Sequence, residues 1–242
     1  MRVPPSIKKK VARLLLPGVS PILCASISRV GSTMVQHALS YERSKLRLGP
    51  LRSLPRSFVR EAAWELKDTR FRPGAIYVTH DVPYDLVPTP ELKVIFLFGR
   101  PSDTVLSLVR RYRQRGPHWM HRHFAHMHAA GPYNELIQRD VIRIGEQIAA
   151  WHAVRNANVL GLRYSALWEN TDILSEFVGF KVTLPGKIER TFLDIDPAIV
   201  AMVRHNYREL DLEEARLPDH FFTLKAGFCD DHNPAAKAEC RA

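Results

Sequence analysis

Apolar and polar positions along the chain fall into blocks. Pro21 to Ile27 is a short, turn-bounded apolar run, and Ala75 to Thr79, Lys93 to Phe98 and Asn158 to Arg163 resemble it. Each predicts a strand buried on both faces, as in a parallel sheet. Between these runs the period lengthens. Val35, Ala38 and Leu39 mark an amphipathic helix after the first run. After the third, Val105, Leu108, Val109 and Tyr112 mark the inward face of a helix that Pro101 opens and Gly116 can stop, with Asp103 in its first turn. Ile137, Val141, Ile144, Ile148 and Trp151 recur at spacings of four, three, four and three, which predicts one face of a long helix and a core stripe. Asp194-Ile-Asp-Pro197 reads as the lead into another helix. Strand, turn and helix in repetition predict an α/β fold of three layers, a central parallel β-sheet flanked by helices, with ligands gathered at the carboxyl ends of the strands. Without internal repeats or low-complexity blocks, residues 1–242 are expected to form a single domain, with 1–20 a basic arm or helix and 211–242 a C-terminal loop and tail.

Charge adds a partner class to this outline. Lys plus Arg number 35 against 25 Asp plus Glu, a formal charge of +10, and Arg supplies 25 of the 35. The excess fits an anionic partner, and the Arg bias favours one that takes forked, bidentate donors, such as phosphate or sulfate. Three cysteines, Cys24, Cys229 and Cys240, without C-x-x-C spacing, argue against a disulfide framework or a thiolate zinc site and fit a reducing, cytoplasmic setting. The N-terminal basic cluster and its interrupted apolar patch are too short to span a membrane. Residues 6–16 fit either a basic amphipathic helix in peripheral contact with a membrane or an arm packed on the domain.

Chemistry concentrates at the first turn. Directly after the first strand runs Ser26-Ile-Ser-Arg-Val-Gly-Ser-Thr-Met34, followed by a helix. Gly31 lets the backbone approach a ligand, and the N–H groups from Val30 to Met34, with the Ser32 and Thr33 hydroxyls, point along the helix axis. This is a phosphate-type cradle. It lacks the Lys of a nucleoside-triphosphate P-loop, since Ser32 follows Gly31, and this counts against a kinase or ATPase.

The segment resembles the 5′-phosphosulfate-binding loop of the sulfotransferase family, Ser-x-Pro-Arg-Ser-Gly-(Ser/Thr)-Thr-(Trp). Ser28 stands for the Pro and Met34 for the Trp, while Arg29, Gly31, Ser32 and Thr33 match. Three further segments follow in the family's order. Tyr77-Val-Thr-His-Asp-Val-Pro83 is similar to the Lys-Thr-His-x-Pro region and implies His80 as catalytic base, with Val78 in place of a lysine that donates to the transition state. Val94 to Ser107 is similar to the 3′-phosphate-binding strand, turn and helix. It implies Arg100 and Ser107 as ligands, although the family's Arg position is Gly99 and Arg110 or Arg111 could compensate. Val159 to Leu167 is similar to a strand ending Tyr-Glu-Asp-Leu and implies Tyr164 as a cofactor-binding residue, with Ser165 and Ala166 replacing the two acids. A fainter likeness of Leu224 to Asp230 to the Arg-Lys-Gly loop adds Lys225 and Gly227.

The resemblance implies a P-loop-like sulfotransferase fold. It also implies transfer of a sulfuryl group from 3′-phosphoadenosine 5′-phosphosulfate (PAPS) to a hydroxyl or amine of a small-molecule, carbohydrate or lipid-linked acceptor. Arg29 and the first-turn N–H groups would receive charge on the departing phosphate, and His80 would take the acceptor proton. No metal is required, because the transferred group carries a single charge that protein donors can stabilise. The motifs assign Arg29 and Arg100 to the two ends of one nucleotide, leave most of the basic excess as unassigned surface charge, and remove that excess as evidence for nucleic acid.

Other segments stay outside this scheme. His118 to His128 packs five histidines into eleven residues, with Trp119 and Phe124 interleaved. It fits an acceptor-binding loop better than a metal site, for no carboxylate or Cys completes a ligand set. Arg110 to Arg115 reads as a solvated helix face before it reads as a nucleic-acid contact. A P-loop-type kinase and a non-catalytic polyanion-binding module are the alternative functions.

Overall fold

The computed structural model describes Leu16 and residues 18–45 and 56–223. Residues 6–15, Lys225 and Gly227, all named above, lie outside the described residues. In chain order the elements are β1 (Ile22–Ser26), α1 (Ser32–Ser44), β2 (Ile76–Thr79), β3 (Lys93–Phe98), α2 (Pro101–His126), α3 (Ile144–His152), β4 (Asn158–Arg163), α4 (Thr171–Val178), α5 (Pro197–Asn206), α6 (Arg208–Ala215) and β5 (His220–Thr223).

The strands form one sheet in the order β2-β1-β3-β4-β5. Ile22 lies beside Ile76 on one side and Lys93 on the other, and Leu97 beside Leu162, all in parallel register. The apolar runs form strands because every residue of β1 is buried, and β3 and β4 are buried except at their ends. Such runs satisfy their backbone groups only within a covered parallel sheet. From β1 the chain passes to β2 on one side and then to β3 on the other. The carboxyl end of β1 is therefore the point where strand order reverses, the place where open α/β sheets bind ligands.

Helices cover the sheet with the faces the pattern predicts: Val35 and Leu39 of α1, and Val105, Leu108 and Val109 of α2, are buried. The expected central sheet is present with one refinement, and two expectations need correction. The sheet is mostly parallel, because β5 joins β4 antiparallel. Residues 211–223 are accordingly not a loop: Asp211 to Ala215 complete α6, and β5 forms the sheet edge. The stripe from Ile137 to Trp151 does not lie on one long helix. Asp140 accepts from the Gly145 N–H (2.9 Å), Arg143 turns left-handed (φ 60°), and α3 starts only at Ile144. Val141, Ile144 and Trp151 are still fully buried, so the core prediction holds while the helix is cut short. Among the described residues no helix is long and apolar enough to cross a membrane.

Gly116 interrupts α2 as expected (φ 74°, ψ −179°), but Pro117 at once opens a second arm. The histidine segment is therefore helical as far as His126, where a loop was expected. Its Met120, Phe124, Pro117 and His121 face a cavity of about 460 Å³ closed by Tyr112 and Tyr133. Trp119, His123 and His126 lie on the other side, where His123 meets Ser28 and His80 in the turns after β1 and β2, Trp119 stacks on His123, and His126 stacks on Trp64.

Candidate functional site

The turn between β1 and α1 is built from unusual backbone. Ser28 (φ 75°), Arg29 (φ 54°) and Gly31 (φ 84°) all adopt left-handed conformations, which curl the chain into a concave loop. Ile27, Ser28 and Val30 are fully buried and anchor it. The first bond of α1 runs from the Val35 N–H to the Gly31 carbonyl. The N–H groups of Ser32, Thr33 and Met34 come before it, no side chain among the described residues caps them, and no acid stands in the first turn. A helix start left this way has donors and a positive dipole end for an anion.

Basic side chains converge on the same turn. Arg29 is held below its ordinary basicity first by burial and then by Arg111, Arg190 and Arg110, so four guanidinium groups lie within electrostatic reach of one another. Arg190 donates to the Arg29 carbonyl and stacks over the Tyr164 ring, 3.9 Å from its centroid. Tyr164 presses against Gly31, where an added Cβ would sit 2.9 Å from Cε2. Arg110 is engaged by Asp194 (2.5 Å) and Arg111 by Gln114 (3.2 Å), but the buried Nε atoms of Arg29, Arg110 and Arg111 have no hydrogen-bond partner among the described residues. A cluster of like charges is stable when a counter-charge joins it, so it marks an anion site.

His80 lies beside this cradle. Its Nδ1 is 3.0 Å from the Ser26 carbonyl oxygen and 3.1 Å from Ser26 Oγ. A carbonyl only accepts, so Nδ1 carries the hydrogen and Nε2 presents a lone pair. Burial pushes the imidazole down to about 4, the carbonyl bond opposes that shift, and His126 and Arg29 add to it. The neighbouring turn is rigid: Asp81 accepts from the N–H groups of Leu66 (3.1 Å) and Val82 (2.9 Å), and its carbonyl accepts from the Trp151 indole (3.2 Å). His123 adds a second imidazole. Its Nε2 lies 2.8 Å from Ser28 Oγ, its ring meets His80 edge-on at 5.4 Å, and burial, then His80 and Arg29, push it down to about 3. Trp64 stacks on His126 at 4.3 Å and lies 6.1 Å from His80, while Trp119 stacks on His123 at 4.6 Å.

No protein-family model and no curated protein matches the chain. Among solved structures it is similar to retinol dehydratase in complex with retinol and PAP, at 13% identity and a TM-score of 0.43 over 87% of this chain and 70% of that one. A second structure, retinol dehydratase with androsterone and the inactive cofactor PAP, is 16% identical with a TM-score of 0.39 over 87% and 70% of the two chains. Mouse sulfotransferase SULT7A1 complexed with PAP is 15% identical, with a TM-score of 0.37 over 98% and 86%. Similarity at this level describes an outline, and residue roles have to come from this chain's own geometry.

That geometry brings Arg29, Val30, Gly31, Ser32 and Tyr164 together and sets His80 beside them. Met34 reaches within 3.4 Å of the Gly31 position and, with His37, Tyr41, Leu184 and Pro185, lines a cavity of about 600 Å³. Thr33 is exposed at the start of α1. Ser107 is buried one helical turn before Arg110 and Arg111. Arg100 does not join the cluster: its Nε binds Asp211 (2.9 Å), which also accepts from the Ser102 N–H (2.9 Å). Gly99 faces the site instead, with Tyr164 and Val30 about 3.4 and 3.5 Å from where its Cβ would be.

Sequence reasoning did not single out His123, Arg190 or Trp64. A signal for His123 was present, because Gly116-Pro117 marks a fresh helix start and residues 119, 123 and 126 then share a face. Arg190 and Trp64 arrive from distant loops and carry no local signal. Among the described residues no group of three or more His, Cys, Asp or Glu is arranged to hold a metal ion.

Proposed function

We propose that this chain is a PAPS-dependent sulfotransferase acting on a hydroxyl or amine acceptor. The observation that carries the proposal is the arginine cluster around the uncapped start of α1, in which Asp194 engages Arg110 while Arg29 keeps a buried Nε without a partner among the described residues, with the His80 imidazole beside it. PAPS, when bound, supplies the sulfuryl group. Arg29 and the N–H groups of Ser32 to Met34 would hold the 5′-phosphosulfate and receive the charge that develops on the departing phosphate oxygen. The cavity lined by Met34 and Tyr41 would take the adenine, and Ser107 with Arg110 or Arg111 the 3′-phosphate.

Nε2 of His80 would accept the acceptor's proton. The Ser26 carbonyl fixes the tautomer this needs, and a ring kept neutral by burial is in its basic form throughout the neutral range. Trp64 and Trp119 flank the two imidazoles and offer flat apolar faces for a small-molecule, carbohydrate or lipid-linked acceptor.

The test is thermal stabilisation by adenosine 3′,5′-bisphosphate (PAP), followed by incubation with PAPS and a panel of hydroxyl and amine acceptors read by mass. A rise in melting temperature with PAP and a sulfated product are expected. Stabilisation by magnesium ATP and none by PAP would point to a kinase, and PAP binding without any transfer to an anion-binding module.

A further inference from the structure

We propose that His123 is a further working side chain of this site: when a divalent oxyanion binds at the Gly31 turn, His123 takes up a proton from solvent while remaining bonded to Ser28. The protein groups of the loaded site then carry one positive charge more than those of the free site. The inference rests on the anion-binding part of the function proposed above and adds a residue that none of the sulfotransferase motifs in this sequence contains.

Two features lead to it. Ser28 is fully buried, and its Oγ lies 2.8 Å from His123 Nε2. A hydroxyl both donates and accepts, so this bond survives whether or not Nε2 carries hydrogen, and charging the ring loses no hydrogen bond. His80 is wired differently. Its Nδ1–H is committed to the Ser26 carbonyl and its lone pair is the one available to an acceptor proton, so charging His80 would consume the base. Of two rings in edge contact at 5.4 Å, His123 alone can charge without that loss.

The second feature is the charge around the ring. His123 is faced by Arg29 from the first turn, by His80 from the turn after β2, and by His126 and Arg111 from α2, with Trp119 stacked on it. All four are basic, so the free site holds the ring neutral. A bound oxyanion reverses the sign of that field and favours the imidazolium.

Inorganic sulfate is a suitable probe, because its charge is constant across the neutral and mildly acidic range. Calorimetric titrations of sulfate into the full chain between about pH 5 and pH 8 should show affinity falling as pH rises, by up to roughly tenfold per unit. Titrations in two buffers of different ionisation enthalpy should show proton uptake approaching one per sulfate. His123→Gln, whose amide can keep the bond to Ser28, should bind sulfate with the pH slope abolished, while His80→Gln keeps it. A flat profile without proton uptake in the unaltered protein, or a slope lost in His80→Gln and kept in His123→Gln, would overturn the assignment. Binding of PAP alongside a flat sulfate profile would overturn His123 alone. No binding of sulfate or PAP at any pH would overturn the anion site and this inference together.

Discussion

Gly31→Ala tests the geometry of the first turn most directly. The new Cβ meets two obstacles. At φ 84° an L-residue carries a left-handed penalty of about 1–2 kcal/mol. It would also stand 2.9 Å from Cε2 and 3.1 Å from Cδ2 of Tyr164, where carbon contacts are comfortable near about 3.5–4.0 Å. The ring must retreat by more than about half an ångström, but Arg190 lies over it at 3.9 Å and Trp168 abuts it edge-on at 5.4 Å. Displacing a pinned ring adds about 1–2 kcal/mol. The sum, about 2–4 kcal/mol, corresponds in a chain of this length to a melting temperature lowered by roughly 5–15 °C. Differential scanning calorimetry measures the loss, and PAP titration should show affinity reduced by an order of magnitude or more, because the same shift moves Arg190 and the Arg29 carbonyl. In a Tyr164→Ala background the cost of Gly31→Ala should shrink to the backbone penalty alone, about 1–2 kcal/mol. Unchanged stability and unchanged PAP affinity in Gly31→Ala would refute the proposed contact between this turn and Tyr164.

Further outcomes follow from the site. His80→Ala should lower turnover on the order of a hundredfold or more with PAP affinity nearly intact, and wild-type turnover in a single-turnover assay would remove His80 from the chemistry. His80 (about 4) and His123 (about 3) are both depressed below the ordinary 6.5, so the unfolded chain binds their protons first. Their contribution to stability is therefore complete above about pH 6.5 and is lost as pH falls toward about 4. Urea titrations across that window should show the decline, and His80→Gln should flatten it. Asp211→Ala strands the buried Ser102 N–H and hydroxyl and should cost about 2–4 kcal/mol in urea denaturation, with little added by the exposed Arg100. Arg190→Ala should weaken PAP binding tenfold or more in the same titration whereas Arg100→Ala leaves it within twofold, and the reverse order would return Arg100 to the 3′-phosphate.

Much of the fold could be read from the chain because its strands are uniform apolar runs: Lys93–Phe98 and Asn158–Arg163 have the bounds their composition suggests. The stripe ending at Trp151 misled for a physical reason. A turn closed by Asp140 and Arg143 presents Val141 and Ile144 inward at helix-like spacing without being helical. Arg100 shows the limit of motif spacing, since a one-residue shift at the end of a strand reverses the direction of the side chain. Gly99 consequently faces Tyr164, and Arg100 turns to Asp211. His80 and the Gly31 turn stood out because each immediately follows a strand. Arg190 did not, because its place is fixed by tertiary contacts with Arg29 and Tyr164.

The break at Gly116 divides the labour of α2. Its first arm, packed against the sheet, carries Ser107, Arg110 and Arg111; its second carries Trp119, His123 and His126 on one face and part of the wall of the 460 Å³ cavity on the other. The two arms still touch, through Arg111 over the Trp119 ring (5.8 Å) and through Tyr112 in the cavity wall. Under the function proposed above, the acceptor end lies on the second arm and the nucleotide end on the first, and the joint between them is a single residue.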